Sequence, residues 1–160
     1  MAVNAYLTIK DVDGPSTSKE KAIDILAFSF GAQQTNTYQA GSSGKEAKAG
    51  RANINDLTVT KVLDKTSPLL FDHCVTGDIL SEITLAYDKP VKDAQQDYFH
   101  IVMNDALITS VSLSGSQENP TETITFAFQK VKVGYAPEKD DGALDGMVYK
   151  GFDMTTLKPF

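Results

Sequence analysis

Residues Asp56–Gly77, DLTVTKVLDKTSPLLFDHCVTG, decide the fold. Leu57 and Val59 alternate with Thr58 and Thr60, the period-2 signature of a half-buried strand. The period then changes. Ser67 is the expected N-cap with Pro68 at the first helical position, and Gly77 follows the last apolar residue as a C-terminal stop. Leu70, Phe71, Cys74 and Val75 share one helical face, which predicts a packing face with the Phe71 ring buried. One short, one-sided helix over Ser67–Thr76 is not stable alone, so it must lie against a sheet or barrel.

Outward from this stretch the pattern is β throughout. Ala2–Ile9 reads as the first strand. Ile23–Gly31 reads as the second, with Leu26, Phe28 and Phe30 on one face and Ile25, Ala27 and Ser29 on the other. Gln33–Gly50 loses all periodicity and reads as a long loop rich in Gly, Ser and Ala. After the helix come Ile79–Tyr87, a polar turn KPVKDAQQ, and then Tyr98–Asp105 and Leu107–Leu113 as a strand pair. The last two strands are Thr123–Tyr135 and Met147–Phe152. Within Thr123–Tyr135 the apolar residues move from even positions (Ile124, Phe126, Phe128) to odd ones (Val131, Val133, Tyr135). An extra residue near Gln129–Lys130, a β-bulge, would restore one face. The expectation is a mainly β fold: an antiparallel barrel or sandwich of about eight strands with one short flanking helix.

The 160 residues suit one domain, and a chain of that length buries roughly 70% of its unfolded surface. An apolar fraction of 41% with mixed charges describes a globular chain. A net charge of −6, with lysines dispersed among acids as in Lys61–Asp64–Lys65, argues against nucleic acid as partner. No stretch reaches the roughly 18 consecutive apolar residues of a membrane helix. MAVNAYLTIKDVDG lacks a basic n-region and an apolar h-region, so no secretory signal peptide is expected. Cys74 is the one cysteine and leaves no intrachain disulfide.

Residues with chemical potential do not converge. Gly41–Lys45, GSSGK, has two residues between its glycines where a phosphate loop needs four, and Glu46 follows the lysine. Asp72, His73 and Cys74 are adjacent, and neighbouring helix residues point about 100° apart. His100 lies on the strand face opposite Phe99 and Ile101, with no nucleophile and acid in a catalytic order. Glu118, Glu122 and the Asp140–Asp141 pair lie in loops or near strand starts, where charge is normally solvated. No catalytic, cofactor or metal residue is assigned, and no enzyme activity is expected.

Six ordered segments carry a resemblance over nearly the whole chain: MAVNAYLTI, IDILAFSFG, AGRANINDLTVTKVLDKTSPLLFDHCVTG, ITSVSLSG, PTETITFAFQKVKVGY and APEKDDG. Together they resemble the haemolysin-coregulated protein (Hcp) family, the tube proteins of bacterial type VI secretion. The resemblance implies a phage-tail-tube-like barrel subunit. Six copies would form a ring, and rings would stack into a tube with a spike at the tip, a contractile sheath outside and effector proteins in the lumen. It implies a protein held in the bacterial cytoplasm before firing and delivered outside, or into a target cell, without a cleaved signal. On that footing Ala27 and Ser29 would face the lumen, while Leu26, Phe28 and Phe30 fill the subunit core. The loop carrying Tyr38, Lys45, Glu46 and Lys48 would be an intersubunit arm. A tail-tube subunit of a phage or related contractile injection particle, and a small ligand-binding β-barrel, remain as alternatives.

Overall fold

The computed structural model describes residues 3–36 and 49–160. The chain runs β1 (Asn4–Ile9), β2 (Ile23–Asp24), β3 (Ala27–Ser29), β4 (Ala32–Asn36), β5 (Ala49–Ile54), β6 (Leu57–Val62), α1 (Ser67–Thr76), β7 (Ile79–Val91), β8 (Ala94–Ser114), β9 (Thr121–Tyr135), β10 (Val148–Asp153) and β11 (Lys158–Pro159). Nine strands form one antiparallel sheet in the order β11-β10-β9-β8-β7-β1-β2, with β6 joined to β9 and β3 joined to β6. The sheet forks at β9. Its first half, from Thr121 to Phe126, pairs with β6, and its second half, from Lys130 to Tyr135, pairs with β10. The β3-β6 branch and the β7-β1-β2 end of the sheet enclose, as an open sandwich, a core that includes Leu7, Ile23, Leu57, Val59, Ile83, Leu85, Ile101, Met103, Ile124 and Phe126, to which β10 and β11 contribute no residue. No ladder closes it into a barrel among the described residues, so of the two expected forms the sandwich is the one adopted.

Several boundaries differ from expectation. The second strand is two short pieces, β2 and β3, broken at Ile25–Leu26. Ile25 turns into the core, whereas Leu26, expected there, is 61% exposed. Phe28 and Phe30 do pack against the core, Phe28 against the rings of Tyr87 and Phe99. The expected pair Tyr98–Asp105 and Leu107–Leu113 is one 21-residue strand, β8. Strands β7 and β8 also continue through KPVKDAQQ to a tight turn at Lys92–Asp93, where Val91 faces Ala94 and Lys92 takes φ 55. At both ends of the expected Gln33–Gly50 loop the chain is ribbon, over Gln33–Asn36 and Ala49–Gly50. Strands β4 and β5 pair as a separate hairpin whose base closes through Asn55 N–H to the Gly31 carbonyl.

The change of apolar parity in β9 occurs where expected, without an inserted residue. Asn104 faces Lys130 and Ala106 faces Phe128, so the β8–β9 register is unchanged across it. Strands β7 and β8 change with it: Leu80 and Ala106 are buried at even positions, Ile83, Ile101 and Met103 at odd ones. Ser81, Asp105 and Gln129 drop out of the ladders in one row, and Asp105 has φ 51. A left-handed residue turns the strand about its own axis. Asp105 is the left-handed member of this row, and on its far side both ladders resume in register with the other face inward. Aspartate tolerates this conformation and β-branched residues do not. Asp105→Val is therefore expected to cost about 1–3 kcal/mol, and Asp105→Gly far less, read as shifts of the thermal midpoint. Equal midpoints for the two variants would show that the conformation at this position is not what turns the sheet.

Helix α1 has the predicted span but not the predicted cap. Thr66 is the N-cap, in αR conformation and with no side-chain cap bond, so Pro68 moves one place further in. Its missing N–H still falls among the unpaired donors of the first turn. Gly77 ends the helix at φ 72, donating its N–H to the His73 carbonyl at 3.1 Å. Only Leu70 is fully buried and Cys74 half-buried against the core. Phe71, expected inside, is 52% exposed, and Val75 is exposed with it.

Candidate functional site

Beneath the helix start lies a buried ionic cluster. Lys61 on β6 and Glu122 on β9 face each other across the ladder, are both fully buried, and form an ion pair. Lys61 Nζ also reaches Asp64 Oδ1 at 3.0 Å and the Ser67 hydroxyl at 3.2 Å. That hydroxyl donates to Glu122 Oε1 at 2.8 Å and accepts from the Asp64 N–H at 3.1 Å. Ser67 is thus engaged in binding the helix to the sheet, which is why it does not cap. Burial pushes the Asp64 carboxyl up, and hydrogen bonds from Thr66 and Lys61 outweigh it and hold the group below the usual carboxylate range. Glu122 was expected among solvated charges, and Lys61 only as one of the lysines dispersed among acids. The signal available in sequence was parity: both sit in phase with the apolar residues of their strands, Leu57 and Val59, Ile124 and Phe126.

A second polar cluster joins three distant segments. Lys19 binds Asp97 through both carboxylate oxygens at 2.8 and 3.0 Å. His100 bridges Asp97, 2.9 Å from Nε2, and the Tyr149 hydroxyl, 2.8 Å from Nδ1. The hydrogen bond from His100, against the opposing effect of burial and aided by Lys19, keeps the Asp97 carboxyl low. Asp97 stands opposite Asp88 in the β7–β8 ladder, so this pairing also relieves a like-charge contact. Tyr149 lies against Gly134, where any Cβ would meet the ring edge at 2.4 Å. The cluster clamps the turn before β2 and the strand β10 onto β8. Elsewhere His73 pairs with Asp78 at 3.0 Å, while Cys74 packs inward, so the Asp72–His73–Cys74 run diverges.

The surface with a repeating chemistry is the outer face of the branch β3-β6-β9-β8. Ladder partners place Ala27, Thr60, Thr123 and Ser112 in one row, and Ser29, Thr58, Thr125 and Ser110 in the next. Ala27, Ser29, Ser110 and Ser112 are exposed, and the four threonines are half-buried, with Thr58 and Thr125 hydroxyls 3.3 Å apart. The expected division of β3 therefore holds for Ala27 and Ser29, which point away from the core. The six neighbours that extend the face were not singled out in sequence, because they lie on three other strands. Both lateral edges of the branch are open among the described residues: β3 pairs only with β6, and β8 beyond Leu107 pairs only with β9. Tyr38, Lys45, Glu46 and Lys48, and the Gly41–Lys45 run, lie outside the described residues.

Residues 6–135 match the sequence profile described as "Type VI secretion system effector, Hcp". The chain is 38% identical over 150 residues to Protein hcp1 of Pseudomonas aeruginosa, covering 91% of each. Its fold superposes on a solved type six secretion system protein with a TM-score of 0.88 at 27% identity, over 99% of this chain and 100% of the other. Hcp1 from Salmonella typhimurium gives 0.78 at 26% identity, over 100% of both chains.

Proposed function

Because the chain belongs to the Hcp family of the type VI secretion system, we propose that it is the repeating subunit of the inner tube, six copies closing each ring and rings stacking end to end. The observation that carries this reading is the two-row face of Ala27, Ser29, Thr58, Thr60, Thr123, Thr125, Ser110 and Ser112 on a sheet with two open edges. Open edges invite pairing with another chain. Strands β3 and β8 are antiparallel to each other through three successive antiparallel ladders. The β3 edge of one copy is therefore oriented to extend the sheet at the β8 edge of the next. Repeated head to tail, that contact closes a ring, and the hydroxyl face becomes its lining.

Small hydroxyl side chains give a smooth wall that both donates and accepts hydrogen bonds. Such a wall suits passage of folded effector proteins better than an apolar one, which would hold them. The sheath, the spike and the effectors are the partners this reading assigns. The subunit would wait in the cytoplasm and leave through the apparatus. No helix among the described residues is long and apolar enough to cross a membrane.

Ser29→Gln tests the lining. The longer side chain is expected to lower effector co-purification severalfold while leaving ring mass and thermal midpoint unchanged, because Ser29 is exposed in the subunit. Dissociation of the rings by this substitution would place Ser29 in a contact between subunits instead.

A further inference from the structure

We propose that Leu26 of one subunit seats in an apolar cleft beside helix α1 of the next, so that an exposed leucine and an open apolar cleft of the subunit close each other in the ring. The inference rests on the ring reading and names its side-chain contact. Leu26 donates its N–H to the Thr60 carbonyl at 2.7 Å and stands one place before Ala27, which faces Thr60. It therefore falls in the row that continues through Lys61, Glu122 and Leu113. The middle of that row is the buried ion pair. Its two ends are leucines, 61% and 56% exposed, one at each open edge of the sheet.

Beyond Leu113 opens a cleft of about 370 Å³ lined by Leu63, Ser67, Pro68, Phe71 and Leu113. Within one subunit Leu26 does not line it. Two strands intervene, an estimated separation of about 14 Å at the usual strand spacing, and Leu63 stands between the surroundings of Leu26 and the cleft. In the register that this contact requires, the β3 edge of one copy lies along the β8 edge of another with the Leu26 row of the first meeting the Leu113 row of the second. The leucine then points to the same side as Leu113, toward Phe71 and Pro68. A second copy is the occupant that satisfies both ends at once, because wedge and cleft lie on opposite edges of one sheet and every repeat buries one of each. An unrelated protein over the cleft would leave Leu26 in water.

The test uses Leu26→Asp and Phe71→Asp, read by native mass measurement at micromolar concentration. The unsubstituted chain is expected as rings and each variant as monomers with unchanged circular dichroism, since both residues are exposed in the subunit. Mixed one to one, the variants are expected to give dimers of one copy of each, because the mixture retains a single intact wedge–cleft pairing. Rings from either variant, or a mixture that stays monomeric, would overturn the contact while the tube reading stands. Monomers from the unsubstituted chain would overturn the ring itself. Should either aspartate variant melt early, Leu26→Ala and Phe71→Ala supply the same comparison. Each is then expected to raise the ring dissociation concentration at least tenfold, and an unchanged value would overturn the contact.

Discussion

Replacing Lys61 with methionine is expected to destabilise the subunit by about 3–5 kcal/mol, read from urea unfolding at dilutions where the chain is monomeric. Methionine fills similar space, so the loss is electrostatic. Glu122 would remain fully buried without its counter-charge, and Asp64 and Ser67 would lose the ammonium they share. The paired substitution Lys61→Met with Glu122→Leu is expected to recover most of that loss, since a well-packed apolar pair substitutes for a buried ion pair at little cost. A single variant within about 0.5 kcal/mol of the parent would mean that the charges are solvated after all. Acid gives an independent reading. The folded Asp64 carboxyl titrates below its ordinary 3.8. Its contribution is therefore complete above that value and is lost as the pH falls through the lower folded one. Asp64→Asn is expected to flatten this part of the acid limb, measured as the thermal midpoint between neutral pH and about pH 3.

The second large effect separates neighbours on one helix. Leu70→Ala is expected to cost the subunit about 2–5 kcal/mol, whereas Phe71→Ala is expected to fall within about 0.5 kcal/mol under the same monomeric conditions. Leu70 is fully buried among core residues, and a smaller side chain leaves a cavity there. Phe71 is half in water, and its removal empties part of an open cleft. Comparable losses for the two would show that the helix lies on its Phe71 side. The contrast also separates folding from assembly, because the proposed ring contact involves Phe71 while Leu70 lies in the subunit core.

Helical spacing alone could not make that distinction. Leu70, Phe71, Cys74 and Val75 form one apolar face by period, and the physical rule that such a face is buried is sound. It does not say by what. Leu70 and Cys74 reach the core, whereas Phe71 and Val75 stay more than half exposed. The same holds for Leu26, apolar and in phase with Phe28. Its strand breaks at Ile25–Leu26, so the wrong one of two neighbouring apolar residues was expected inside.

Local pattern therefore determined the all-β class, the helix over Ser67–Thr76 with its stop at Gly77, the change of parity in β9, and the outward direction of Ala27 and Ser29. These features depend on the period of side chains and on turn chemistry, which act over a few residues. Tertiary structure decided which features were shared between strands. It put Lys61 against Glu122, whose carboxylate reads as solvated until a ladder brings the two together across 61 positions of chain. It lined up eight small side chains from four strands into one face. It also placed the Leu26 and Leu113 ends of one row at opposite open edges. Each of these depends on register between segments far apart in sequence, and register is set by how whole apolar faces fit together, which no single segment encodes.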